Sequence, residues 1–81
     1  MTITPQAAAQ LERLPIAVRV RMTRVFQRLE GWPSVSGAKP LRGRLAGWYR
    51  IRTGDYRVRF RVRGETVVVD GVGHREGFYD E

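Results

Sequence analysis

The chain has no cysteine, so neither a disulfide framework nor a thiolate metal site is open to it. Histidine is nearly as scarce: His74 is the only one, which excludes a four-ligand Cys/His zinc site. Lysine occurs once, at Lys39, and every other basic residue is arginine. No apolar run approaches the ~20 residues that a membrane-spanning helix needs, and the N-terminus carries no signal-peptide pattern. Glycine-rich phosphate loops are missing, as is any carboxylate cluster suited to Mg²⁺; two-metal nuclease chemistry and a bound cofactor are therefore not expected. These absences point to a reducing cytoplasm and away from a membrane. At 81 residues the chain reads as a single domain, residues 1–81, with room for one modest core.

Positive charge is what the chain has in abundance. A formal net charge of +7 and a pI near 11.3 suggest nucleic acid, an acidic protein or an anionic surface as partner. A GC-rich genome accounts for arginine as a preferred residue, but not for its clustering. Lys39, Arg42, Arg44, Arg50, Arg52, Arg57, Arg59, Arg61 and Arg63 fall in one stretch whose only acid is Asp55. After the turn signal Thr53-Gly54-Asp55, the residues Tyr56, Val58, Phe60 and Val62 alternate with Arg57, Arg59, Arg61 and Arg63. A strand sends these sets to opposite faces, one to pack a core and one to present guanidinium groups. Like charges at that spacing repel, and a polyanion is the natural compensation. Arginine offers a planar fork to phosphate and stays protonated, with a pKa above about 12, so proton transfer must come from other residues.

The rest of the chain supplies a scaffold. Met1–Thr4 reads as a short edge strand or a frayed start. Thr4-Pro5 has the form of an N-cap followed by proline at the first helical position, and Ala7, Leu11 and Leu14 follow at helical spacing. Pro15 ends that helix and starts another, whose stripe is Val18, Met22, Val25 and Leu29 with Phe26 beside it. Arg21, Arg24 and Arg28 lie off the stripe as a solvated face that is also suited to ribosomal RNA. Gly31 and Pro33 close the second helix, and residues 31–47 read as a loop, with one short strand near Arg42–Leu45. Strands are expected at about Trp48–Thr53, Tyr56–Arg63 and Thr66–Val72, joined by turns at Gly54-Asp55 and Gly64-Glu65. Val67-Val68-Val69 is apolar on both faces, which suggests a central strand. The fold class is α+β: an N-terminal two-helix hairpin packed on one face of a mainly antiparallel sheet of three to four strands. Its uncovered face is a small, concave basic surface.

On that surface Arg50 and Arg52 alternate along one hairpin strand and Arg57 lies across the turn. The tail brings His74, Arg75 and Tyr79 to the same end of the sheet. Such a group suits RNA, which carries its own nucleophile in the 2′-OH. A protein need only align attack on the adjacent phosphate, stabilise the added negative charge and move protons. Arginines serve the second task; Tyr79 or His74 serves the third. A phenol with its ordinary pKa near 10 is a poor base at neutral pH, but surrounding arginines lower it. Arg59 and Arg44 are further phosphate contacts on this reading. Arg61 and Arg63 are read as a solvated strand end, Trp48, Tyr49 and Phe60 as packing residues, and Asp55 as a turn residue.

The run Leu41-Arg42-Gly43, then Gly47-Trp48-Tyr49-Arg50-Ile51-Arg52-Thr53-Gly54-Asp55-Tyr56-Arg57-Val58, then Val67-Val68-Val69, and finally Gly73-His74-Arg75-Glu76-Gly77-Phe78-Tyr79 resembles the RelE/ParE toxin superfamily. The helical hairpin fits as well, so the resemblance spans nearly the whole chain. It implies the toxin of a type II toxin–antitoxin pair, with a cognate antitoxin as partner. RelE-like members are ribosome-dependent endoribonucleases that cut mRNA in the A site. By that resemblance the basic strand pair corresponds to Arg50 and Arg52, the arginine after the hairpin tyrosine to Arg57, and the tail pair to Arg75 and Tyr79. Arg52, Arg57, Arg75 and Tyr79 thus take catalytic roles, and Arg50, Arg59, His74 and Arg44 bind RNA. Two departures matter. Arg50 and Arg52 stand where RelE often has lysines, so a lysine-dependent proton role does not carry over. The sequence also ends two residues after Tyr79, so a helix beyond that point, present in some relatives, is not expected. A ParE-like toxin that poisons DNA gyrase by binding, and a non-toxic relative that binds only RNA or an acidic partner, are the alternatives.

Overall fold

The structure is a computed structural model that describes residues 1–74. Strand β1 (Thr2–Ile3) leads into helices α1 (Pro5–Glu12) and α2 (Ile16–Leu29). Strand β2 (Lys39–Pro40) and a 3₁₀ turn (Gly43–Leu45) follow, then strands β3 (Tyr49–Thr53), β4 (Tyr56–Arg63) and β5 (Thr66–His74). All five strands form one sheet in the order β1-β5-β4-β3-β2. Only the β1–β5 pairing is parallel.

The helices begin where their side chains allow it. Thr4 caps α1 by accepting from the Ala7 amide at 3.2 Å, and Pro5, which has no N–H to lose, occupies the first helical position. α1 ends after Glu12, and Pro15 becomes the N-cap position of α2. The α2 stripe Val18, Met22, Val25 and Leu29 is buried, and Leu11, Leu14 and Phe26 pack around it half-buried. The off-stripe arginines are not simply solvated. Arg21 Nη2 donates to the Thr53 carbonyl at 3.0 Å and Arg28 Nη2 to the Ser36 carbonyl at 2.6 Å. Two of the three thus tie α2 to the sheet and to the loop that follows the helix.

Both hairpins close through two-residue turns, Gly54-Asp55 and Gly64-Glu65, in which only the glycine has positive φ. Glycine at the first central position of such a turn matches the twist of the flanking strands. The helix-facing side of the sheet carries Ile51, Val58, Phe60, Val67, Val69 and Val72, all buried. Trp32, Tyr49 and Phe60 close one end of this core, with Tyr49 stacked on Phe60 at 5.4 Å and Trp32 edge-on to both. Aromatic contacts of this kind add to area burial.

Two expectations need correction. The sheet has five strands, not three to four, because both two-residue edge strands pair. The short strand of the loop lies at Lys39–Pro40, and the Arg42–Leu45 region instead holds the 3₁₀ turn. There is also a bulge where Phe60 pairs with Val69 and Arg59 with Gly71, so Asp70 is the extra residue on β5. The central position expected of this strand is found: β5 lies between β1 and β4.

Candidate nucleic-acid interface

The register builds a cationic face from pairs of like charge. Arg52 lies opposite Arg57, Arg50 opposite Arg59, and Lys39 opposite Arg50 on its other side. Residues directly opposite in an antiparallel pair have Cβ atoms about 4.5–5.5 Å apart, and like charges there are destabilising. Two such charges 4 Å apart repel by about 1 kcal/mol in water and about 4 kcal/mol near a protein surface. Arg50 and Arg57 are only 6% exposed, so the rank of open guanidinium groups expected from alternation is partly buried. None of Arg50, Arg52, Arg57, Arg59 and His74 is without an interaction partner. The face is a packed cluster rather than a loose array.

The bulge contributes one of those partners. It turns Asp70 onto the arginine face, where its Oδ2 accepts from Arg59 Nη2 at 2.8 Å. Charge-assisted bonds of this length are among the stronger hydrogen bonds in proteins. Trp48 stands on the same face, opposite in sense to Tyr49. The Arg59 and Arg61 guanidinium carbons lie 5.3 and 4.9 Å from its ring centre, within cation–π range. Trp48 is therefore not a core residue, and Arg61 is half-buried against it rather than part of a solvated strand end. Arg63 is exposed, as expected.

The structure thus brings Arg50, Arg52, Arg57 and Arg59 together. Arg44 sits on the 3₁₀ turn, exposed and apart from the strand pairs. His74 pairs with Tyr56, and their rings meet edge-on at 5.2 Å, whereas Gly73 is the residue opposite Arg57. Tyr56 packs against the hydrophobic core, so His74 lies at the end of the helix-facing side and not among the arginines. Arg75 and Tyr79 lie outside the described residues. Trp48, Asp70 and Lys39 belong to the face but were not among the expected site residues. Period-2 counting back from Arg50 finds Trp48 directly, whereas Lys39 is reached only through its pairing with Arg50 across β2 and β3.

Chemically, such a face can hold a phosphodiester: planar donors converge from two strands, and Asp70 is one carboxylate among several cations. Comparisons with known proteins identify relatives of the chain. The family model described as the ParE toxin of the type II toxin–antitoxin system parDE matches residues 1–79. Toxin RelE3 of Methanocaldococcus jannaschii is 30% identical over 73 residues, covering 86% of this chain and 83% of its own. The toxin–antitoxin complex RelBE2 from Mycobacterium tuberculosis contains a chain 35% identical, with a TM-score of 0.81 over 91% of this chain and 87% of that one. The isolated E. coli RelE toxin, 23% identical, shares the fold with a TM-score of 0.74 over 90% of this chain and 80% of its own.

Proposed function

The chain belongs to the ParE toxin family of type II toxin–antitoxin systems, and from that premise we propose that it is a RelE-like, ribosome-dependent endoribonuclease that cleaves mRNA in the A site. As a type II toxin of RelE-like fold it has a cognate antitoxin for a partner. The observation that carries the nuclease reading is the register of β3 and β4, which sets Arg52 against Arg57 and Arg50 against Arg59. Four cations converging on one face, with Asp70 bonded to Arg59, make a surface that attracts a polyanion, and on this reading the RNA backbone is that anion.

On this reading the 2′-OH of one nucleotide attacks its own 3′-phosphate and the bond to the next 5′-oxygen breaks. The products are a 2′,3′-cyclic phosphate and a free 5′-hydroxyl. A base takes the 2′-OH proton and an acid returns one to the departing oxygen. Arg52 and Arg57, with Arg75, hold the phosphate and offset the charge that grows on its oxygens in the transition state. Tyr79 is assigned the proton transfer; the edge-on contact of His74 with Tyr56 favours a supporting role for the histidine. Arg50 and Arg59 fix the backbone beside the scissile bond.

The name of the matching family favours a second reading, a ParE-like toxin that acts on DNA gyrase by binding alone. One experiment separates the two. Protein and DNA synthesis are pulse-labelled after induction of the chain without antitoxin, and mRNA 5′ ends are mapped by primer extension in the same cultures. Prompt translation arrest with new 5′ ends inside codons is the expected result. Arrest of DNA synthesis first, with intact mRNA, would make the arginine face a docking surface for gyrase.

A further inference from the structure

The arginine face divides along β4 into two unequal parts. Near the Gly54 turn lie Arg52 and Arg57, the pair to which cleavage is assigned. Four residues further on, about 13 Å at strand rise, lies Arg61. Between them Arg59 is bonded to Asp70 at 2.8 Å. Arg61 shares the Trp48 ring with Arg59 but not its carboxylate. Its guanidinium carbon is 4.9 Å from the Trp48 ring centre, and among the described residues it has no carboxylate partner. Its Nε is buried, so the donors left to a ligand are those of the two terminal nitrogens. Stacking engages the flat face of a guanidinium, whereas its N–H donors point outward along the edge. Trp48 therefore holds a long, otherwise mobile side chain in place without using its donors, and that lowers the entropy cost of binding an anion. Two guanidinium groups already lie against the ring, so Trp48 serves Arg61 better than it would serve as a base-stacking platform.

We propose that Arg61 is a second phosphate contact for single-stranded RNA, remote from the scissile bond, and that Trp48 is its positioning residue. The inference rests on the nuclease reading and deepens it: the substrate backbone runs along β4 and is gripped at both ends. An Arg61 that only lined the surface would be expected to fray into solvent or to pair with Asp70, as Arg59 does.

The test is binding of an uncleavable 2′-O-methyl RNA oligonucleotide to the full chain, followed by fluorescence anisotropy across a salt series. Each phosphate contact on a single strand contributes a slope of about −0.7 in log K against log salt. Arg61→Gln is expected to flatten the slope by about 0.7 and to weaken binding several-fold at low salt. Trp48→Leu should do the same, Trp48→Phe should keep the wild-type slope, and Trp48→Leu with Arg61→Gln should lose no more than either alone. Thermal unfolding of each variant separates lost contact from lost fold. A wild-type slope in a folded Arg61→Gln, or losses that add in the double variant, would overturn the proposal. If Arg57→Ala alone weakens binding, the nuclease reading stands and this inference falls. If the wild-type chain shows no salt-dependent RNA binding, both fall. Should Arg61→Gln weaken only an acidic protein partner, the site belongs to that partner and the RNA assignment is wrong.

Discussion

At the scale of single residues, the arginine face is held together by a few interactions against much repulsion. Arg57 is 6% exposed and lies opposite Arg52, so its removal relieves a like-charge contact while deleting a proposed phosphate ligand. Arg52→Ala and Arg57→Ala are therefore each expected to lower mRNA cleavage by about 10²–10³, the usual cost of one lost charge-stabilising donor. Cleavage is read by primer extension and stability by thermal melting; full toxicity in either folded variant would remove the arginine pair from the mechanism. Asp70 presents the opposite case. Asp70→Asn leaves Arg59 without its carboxylate in a half-buried position, and about 1–2 kcal/mol of destabilisation is expected in a denaturant titration. An unchanged midpoint would show that the pair contributes nothing to folding.

At the scale of elements, local chemistry made most of the fold legible and one backbone irregularity hid the rest. The Thr4-Pro5 cap, the Val18/Met22/Val25/Leu29 stripe and both glycine turns act over a few neighbours, and each lies where the spacing of residues puts it. The tight Gly54 turn also fixes the β3–β4 register, which is why Arg50, Arg52, Arg57 and Arg59 were legible as a group. The Asp70 bulge is another matter. Strict alternation along β5 from the core residues Val67 and Val69 sends Val72 outward and His74 to the arginine face. The extra residue shifts the phase by one, buries Val72 and turns His74 to Tyr56. No residue type in Val-Asp-Gly announces that shift. Nor do two-residue strands such as β1 and β2 carry enough pattern to be read, since their pairing is decided by the strands beside them. The first hairpin turn offers a direct check. Gly54 has φ of +60°, and a Cβ there would run into the Arg21 guanidinium that reaches across to Thr53. Gly54→Ala is expected to destabilise the chain by about 1–2 kcal/mol in chemical denaturation. A neutral result would mean that the turn can change type without disturbing α2.

For the whole molecule, the governing quantity is charge. A net +7 is spread over a body 31 × 25 × 23 Å, and folding draws the cations closer than they are in the unfolded chain. The Debye length is about 30 Å at 0.01 M salt, so at that ionic strength nearly every charge feels every other; at 1 M it is about 3 Å and only neighbours interact. Added salt thus screens more repulsion in the folded state than in the unfolded one, and stability should rise with ionic strength. Because an 81-residue domain shifts its unfolding midpoint by roughly 4–8 °C for each kcal/mol, the rise from 0.01 to 1 M sodium chloride is expected to be several degrees. Asp70→Asn, which adds one more net positive charge next to Arg59, should show the steeper dependence and approach wild type at high salt. Thermal melts of both proteins over that salt range decide the matter. A flat or falling midpoint in the wild type would mean that the face is internally neutralised, and the drive to recruit an anion, whether RNA or an acidic antitoxin segment, would lose its physical basis.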